Sequence, residues 1–183
     1  MATPAVSAPL ARIPNALTVM RLGLIPVFVA LLLDADGGSS WPAGVVFGIA
    51  GITDQVDGFL ARRWHVESPF GKVADPLADR LMIDAAVILL VIADRLPWVA
   101  IVVIGVRDLI LLGGYKLVVP RGYEFGVTFV GKAATWVLYA SVAFVIVTHK
   151  GTDWPLWLFW TGVTLALVAS VQYGARALRT VRA

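Results

Sequence analysis

The chain has 183 residues, of which 59% are hydrophobic and only 15% charged, with a mean hydropathy of +0.84. Soluble domains run at about 45–50% apolar and about 25% charged, so a water-soluble globular protein is excluded. Zero cysteines exclude disulfides and thiolate metal ligands. The net charge of +3 and pI near 9.5 arise from basic residues scattered at segment ends, which points to membrane topology and anionic lipid contact, not to nucleic acid.

The apolar surplus is organised into six runs, each near the ~20 residues that a helix needs to cross a bilayer. They span Ile13–Leu33, Trp41–Arg62, Val73–Ala93, Leu96–Val118, Phe125–Thr148 and Trp154–Ala175. Turn signals divide them: Asp34-Ala-Asp-Gly-Gly-Ser-Ser, Glu67-Ser-Pro, Asp94-Arg-Leu-Pro, Pro120-Arg-Gly and His149-Lys-Gly-Thr-Asp. Residues 1–183 therefore read as one all-α, polytopic membrane domain with six transmembrane helices. Leu22–Leu33 has the length of a signal-peptide core, but Pro14-Asn15 and Arg21 suit no basic leader and Leu33-Asp34-Ala35 is a poor cleavage site.

Lysine and arginine set the orientation. Of the 15, all but Arg95 and Lys150 fall on one side of this layout. Both termini and the loop from Arg62 to Lys72 are thus expected in the cytoplasm. Trp41, Trp98, Trp154, Trp157 and Trp160 gather near the other face as interfacial anchors. The sixth span alone lacks charge. In the others Arg21, Asp54, Asp57, Asp75, Asp79, Arg80, Arg107, Asp108 and Lys132 lie in the cytoplasmic halves, with Asp84 somewhat deeper. Five helices thus bring polar groups to one depth, where a cavity can open to cytosol and inner leaflet.

The densest part of this polar layer is a string, D-x2-D-G-x2-A-R-x8-G-x3-D-x3-D, made by Asp54, Asp57, Gly58, Ala61, Arg62, Gly71, Asp75 and Asp79. At average composition a random start matches it with odds on the order of 10⁻¹⁰. Carboxylates are costly at membrane depth and are retained there for use. Asp54 and Asp57 are three apart on one helix, Asp75 and Asp79 four apart on the next, so each pair shares a face about 5–6 Å apart. Four such anions repel in a low dielectric, and hard divalent cations relieve this; all-carboxylate ligation suits Mg²⁺ or Mn²⁺. Two ions would bridge a pyrophosphate, neutralise a leaving group and acidify an attacking hydroxyl. Gly58 and Gly71 allow close approach to the helix backbones, Ala61 adds a small surface, and Arg62 offers a fork for phosphate oxygens.

Each residue alone has a plainer reading. Glycines in membrane helices serve packing, Arg62 and Arg63 mark topology, and intramembrane carboxylates also equip proton or cation carriers. Such a carrier, and a non-catalytic membrane scaffold, are the competing classes. The two carboxylate pairs together with the glycines and arginine favour an enzyme. His65 and His149 are too isolated to carry a role.

The string resembles the signature of the CDP-alcohol phosphotransferase family, with every position met. The resemblance runs from Pro14-Asn-x2-Thr-x2-Arg21 to Tyr173-Gly-Ala-Arg176. It implies a six-helix membrane core, usually a homodimer in a bacterial cytoplasmic membrane, that binds CDP-diacylglycerol and two divalent ions on the cytoplasmic side. An acceptor hydroxyl then attacks the β-phosphorus and CMP departs. By resemblance Asp54, Asp57 and Asp75 are metal ligands, while Asp79 completes the metal site and acts as general base. Gly58, Ala61, Arg62 and Gly71 line the cytidine diphosphate site.

The N-terminal pattern resembles the branch with glycerol-type acceptors, which takes either glycerol 3-phosphate (phosphatidylglycerophosphate synthases) or phosphatidylglycerol (cardiolipin synthases). This chain has Arg107-Asp108 where the former usually carry Arg-Glu, and Gly131-Lys-Ala-Ala-Thr135 where they usually carry Gly-Lys-x-Lys-Thr. A dianionic phosphomonoester needs more positive charge than a phosphodiester, so the missing lysine at Ala134 leans toward phosphatidylglycerol. Lys132 and Arg107 are expected at the acceptor phosphate, with help from Arg21. The plainer reading pairs Arg107 with Asp108 or Asp84 and leaves Lys132 as a helix-end marker.

Overall fold

The computed structural model describes residues 13–64, 69–118 and 129–182. Among them there are six helices and no strand: α1 (Ile13–Leu33), α2 (Trp41–Trp64), α3 (Pro69–Ile92), α4 (Val99–Val118), α5 (Phe129–Val147) and α6 (Trp154–Arg182), with a short 3₁₀ turn at Asp36–Gly38. α1, α5 and α6 each contain a stretch long and apolar enough to cross a membrane, at Asn15–Leu33, Phe129–Val147 and Trp154–Gln172. Pro26 lies inside α1 without ending it. Such prolines are tolerated in membrane helices, where neighbours re-satisfy the freed carbonyl.

The observed bounds depart from the expected spans for physical reasons. α3 starts at Pro69, earlier than Val73, because proline fits the first helical turn, where its missing N–H has no partner to lose. α4 starts at Val99, later than Leu96, because Pro97 precedes its first turn and accepts from Ala100 N–H at 2.9 Å. α6 continues to Arg182, past Ala175: hydropathy marks where the apolar run ends, whereas Ala, Leu and Arg are strong helix formers. The expected start of the fifth span at Phe125 lies outside the described residues.

Every helix contributes to one core, through Phe28, Phe47, Met82, Ile104, Leu138 and Phe159 among others. The Phe28 and Phe47 rings sit 5.7 Å apart, and Phe47 and Tyr139 5.4 Å apart, which stitches α1, α2 and α5 together. α5 and α6 pack most closely, because Gly162 lies against the α5 backbone: a Cβ there would stand 3.0 Å from Leu138 N and 3.1 Å from its Cα. Without a hydrophobic drive between helices in lipid, such close contacts supply the association.

The three loops between α1 and α2, α3 and α4, and α5 and α6 meet at one end. Arg95, only 8% exposed, joins them: its guanidinium donates to Gly38 O (3.2 Å), Val145 O (2.7 Å) and Thr148 O (2.8 Å). Gly38 has φ +67, and a Cβ there would press on the Ala93 side chain and lie 3.1 Å from Arg95 Cγ. Ser40 N–H donates to Ile146 O at 2.8 Å, and Ser40 Oγ caps α2 by accepting from Ala43 N–H at 3.2 Å. α3 closes in a Schellman pattern with Asp94 at φ 56: Arg95 N–H reaches Leu90 O (2.8 Å) and Asp94 N–H reaches Val91 O (3.0 Å). Burial lowers the Arg95 pKa, and the Lys150 ammonium, 2.8 Å from Asp94, holds that carboxyl below its ordinary range. Trp41, Trp98, Trp154 and Trp157 are exposed around this end. Trp160 is not: it is half-buried against Phe159, with rings 5.5 Å apart.

Candidate active site

Helix direction carries the polar residues to the end opposite the three loops. At 1.5 Å per residue, Arg21 on α1 and Asp54 on α2 lie about 18 and about 20 Å from the loop end, a matched depth. There Arg21 Nη1 stands 2.8 Å from Asp54 Oδ1, with the Arg21 side chain 0% and that of Asp54 22% exposed. The pair exists because α1 and α2 pack along their length. Thr18, one turn before Arg21, is also buried, so α1 turns a polar stripe of Asn15, Thr18 and Arg21. A guanidinium so completely removed from water is tolerated only with a counter-charge. Asp54 supplies that charge while keeping part of its surface open.

The rest of the constellation falls on the same two helices. Asp57, Gly58, Ala61 and Arg62 lie in the last turns of α2, and Gly71, Asp75 and Asp79 in the first turns of α3. α3 packs on α1 and α2, the two helices that carry Arg21 and Asp54. The side chains of Asp57, Ala61, Arg62, Asp75 and Asp79, and the surroundings of Gly58 and Gly71, lie outside the described residues. Among the described residues no three acidic or histidine groups converge as a metal cluster.

The candidate acceptor residues are placed differently from one another. Arg107 Nε lies 3.2 Å from Asp108 Oδ1, so the expectation that Arg107 pairs within the bundle is met. Lys132 is exposed in the first turn of α5. Ala134, two residues on, is 2% exposed, so the position where relatives of one acceptor class carry a second lysine faces the bundle interior. Asp84, on α3, lines a cavity of about 220 Å³ with Ile88, Ile101, Ile104 and Gly105. Between α2 and α5 runs an apolar groove of about 170 Å³, bounded by Phe47, Gly51, Ile52, Trp136 and Tyr139 and beginning one helical turn from Asp54.

Sequence reasoning placed Arg21 with the acceptor phosphate and did not anticipate its contact with Asp54. The signal was available in hindsight: an arginine in the apolar first span needs a counter-charge at its own depth, and Asp54 is the carboxylate at that depth on the adjacent helix. In the sequence Arg95 stands out only as one of two residues that break the charge bias. No local signal marks it, because its partners are main-chain carbonyls.

Comparisons with known proteins identify the family. A family model for CDP-alcohol phosphatidyltransferase matches residues 11–168. The chain is 33% identical to the CDP-diacylglycerol–glycerol-3-phosphate 3-phosphatidyltransferase of Bacillus subtilis, over 92% of this chain and 98% of that protein. It is 35% identical to the cardiolipin synthase (CMP-forming) of Streptomyces coelicolor, over 93% of this chain and 85% of that protein. With the family model covering most of the length and both relatives aligned nearly end to end, the chain belongs to the CDP-alcohol phosphatidyltransferase family.

Proposed function

We propose that this protein, as a single membrane domain over residues 1–183, transfers the phosphatidyl group of CDP-diacylglycerol to a glycerol-based acceptor. All six helices cross the membrane, both termini face the cytoplasm and the active chain is a homodimer in a bacterial cytoplasmic membrane. The observation that supports the reading is that the acidic string falls on the end of α2 and the start of α3, with its first member Asp54 paired to the buried Arg21, in a chain that belongs to this family. The groove from Asp54 toward the loop end supplies apolar surface for a lipid donor.

Carboxylate oxygens are the donor set that Mg²⁺ and Mn²⁺ prefer, and Asp54, Asp57, Asp75 and Asp79 would hold two such ions. When bound, the ions supply charge neutralisation on the diphosphate and a lowered pKa at the attacking hydroxyl. Arg21 fixes Asp54 from behind, since one oxygen held by a guanidinium leaves the other oriented outward. Gly58, Ala61, Arg62 and Gly71 receive the cytidine diphosphate. Asp79 accepts the proton of the acceptor hydroxyl as its oxygen bonds to the β-phosphorus. The bond from that phosphorus to the CMP oxygen breaks, and CMP leaves with the electron pair.

For the acceptor, the two relatives differ: one is named for glycerol 3-phosphate, the other for cardiolipin. The buried Ala134 favours phosphatidylglycerol, because the interior of α5 lacks the second cation that a phosphomonoester dianion requires. The test is CMP release by purified protein with CDP-diacylglycerol and Mn²⁺, comparing phosphatidylglycerol with glycerol 3-phosphate. Release with phosphatidylglycerol alone supports the assignment. Release with glycerol 3-phosphate alone reassigns the acceptor, and release with neither overturns the transferase reading.

A further inference from the structure

Besides atoms of the Arg21 guanidinium, which is paired with Asp54, two buried polar atoms at the chemical end have no hydrogen-bond partner among the described residues. One is Nη1 of the half-buried Arg80 on α3, and the other is Oδ1 of Asp108 on α4, a residue 9% exposed. Among the described residues Asp108 Oδ1 has the neighbouring Arg107 Nε, 3.2 Å away, as its charge partner, without a hydrogen bond. A buried polar group without a hydrogen bond costs about 1–3 kcal/mol; Asp108 recovers part of this through its ion pair with Arg107, whereas Arg80 Nη1 has no such contact among the described residues.

Helix register puts them together. The cavity between α3 and α4 pairs Asp84 and Ile88 with Ile101, Ile104 and Gly105. The two helices are joined by a short connection, from Ile92 to Val99, and run in opposite directions. One turn further toward the chemical end is Arg80 on α3, four before Asp84, and Asp108 on α4, four after Ile104. Residues four apart share a helix face, so Arg80 and Asp108 lie one turn beyond the lining residues Asp84 and Ile104 on the same faces of α3 and α4. Arg107 adds a second guanidinium there. The cavity, at about 220 Å³, falls below the about 300–1,000 Å³ of sites for drug-sized ligands and suits a small polar group.

A ligand that satisfies these groups must present an anion to a guanidinium and a hydrogen-bond donor to a carboxylate. A phosphorylated glycerol with a free hydroxyl does both. We propose that Arg80 and Asp108 form the acceptor-recognition notch, Arg80 donating to the acceptor's phosphate and Asp108 accepting from the glycerol hydroxyl that does not react. This rests on the transferase reading above. It assigns two residues outside the acidic string to acceptor specificity, and it holds for either source of the headgroup, glycerol 3-phosphate or phosphatidylglycerol.

The experiment is steady-state CMP release by wild type, Arg80→Gln and Asp108→Asn with each acceptor, recording KM for acceptor and for CDP-diacylglycerol separately. Loss of one hydrogen bond to a charged group raises the acceptor KM about tenfold or more in either variant, with the donor KM unchanged. Asp108→Glu, one methylene longer into the same notch, changes the preference between the two acceptors. A rise in both KM values together would reveal a merely structural role and overturn the proposal, as would an unchanged acceptor KM. If wild type releases no CMP with either acceptor, the transferase reading falls on its own. The notch is then judged by calorimetric binding of glycerol 3-phosphate, which must be weaker in Arg80→Gln than in wild type for it to stand.

Discussion

Replacing Arg95 with methionine tests how the bundle is held at its loop end. The substitution keeps the length of the apolar stem and removes three donations, to Gly38 O, Val145 O and Thr148 O, of which two are 2.8 Å or shorter. Hydrogen bonds to a charged group contribute about 1.5–3 kcal/mol net, so the two short bonds together give about 3–6 kcal/mol. Part of that is offset because methionine no longer requires a guanidinium to be stripped of water, which brings the expected loss to about 3 kcal/mol. For a chain of this size that is a fall in Tm of about 6–12 °C, read by thermal unfolding in detergent micelles. Arg95→Lys recovers only part of it, since an ammonium on a single stem cannot span both the Gly38 carbonyl and those of Val145 and Thr148 at the end of α5. The control is Lys150→Met: its pair with Asp94 is exposed on both sides, so Tm moves by about 2 °C or less. An Arg95→Met protein that melts within about 2 °C of wild type would refute the clamp.

The other expectations are narrower. Gly162→Ala places a methyl against the α5 backbone and lowers Tm, by about 1–3 kcal/mol of overpacking, whereas Gly48→Ala, with open space around its Cβ position, leaves Tm unchanged within error. Arg21→Met strips Asp54 of its counter-charge and costs about 3 kcal/mol, at the lower end for a buried pair because Asp54 keeps some water; Arg21→Met with Asp54→Leu recovers most of it in a double-mutant cycle. Asp79→Asn abolishes CMP release while the protein stays folded in membranes, and chelation by EDTA abolishes it in wild type until Mn²⁺ is restored; turnover in either case sinks the assigned base or the metals. Lys150 depresses the Asp94 pKa, so their small contribution is present above the ordinary carboxylate range and fades as pH falls through the depressed value; the Tm difference between wild type and Asp94→Asn closes at acid pH.

Hydropathy and turn chemistry located all six helices, because a membrane helix is written in a continuous run of about 20 residues and needs no long-range information. The ends were less legible. Pro69 and the Ala-Leu-Arg tail of α6 obey helix propensity beyond the apolar limit, and hydropathy is blind to that. The acidic string was legible because its spacing is local to two neighbouring helices. The contacts that proved non-local were not. Arg21 meets Asp54 across 33 positions of sequence, and Arg95 meets Val145 across 50. A charge count can say which side of the membrane such residues favour, but not which carbonyl or carboxylate they will find there. Arg107 was the intermediate case: both a pairing and an acceptor role were open, and the structure shows the pairing with Asp108.

Buried charge is handled oppositely at the two ends, and the difference has a thermodynamic consequence. Arg95 is saturated by carbonyls, so its energy is folding energy. Arg80 holds a buried donor without an acceptor among the described residues, so part of its cost is carried by the folded protein until something binds. Replacing it with an apolar residue of similar length should therefore stabilise the protein in the absence of substrates. Removing one unmet buried donor returns about 1–2 kcal/mol, or about 2–8 °C in Tm at this chain length. Arg80→Met is thus expected to melt higher than wild type while taking up acceptor poorly, the opposite of Arg95→Met, which melts lower. Adding glycerol 3-phosphate or phosphatidylglycerol should narrow the gap by stabilising wild type alone. If Arg80→Met melts lower than wild type without ligand, Arg80 is a structural residue with a partner in the folded chain, and the notch it was assigned to does not exist.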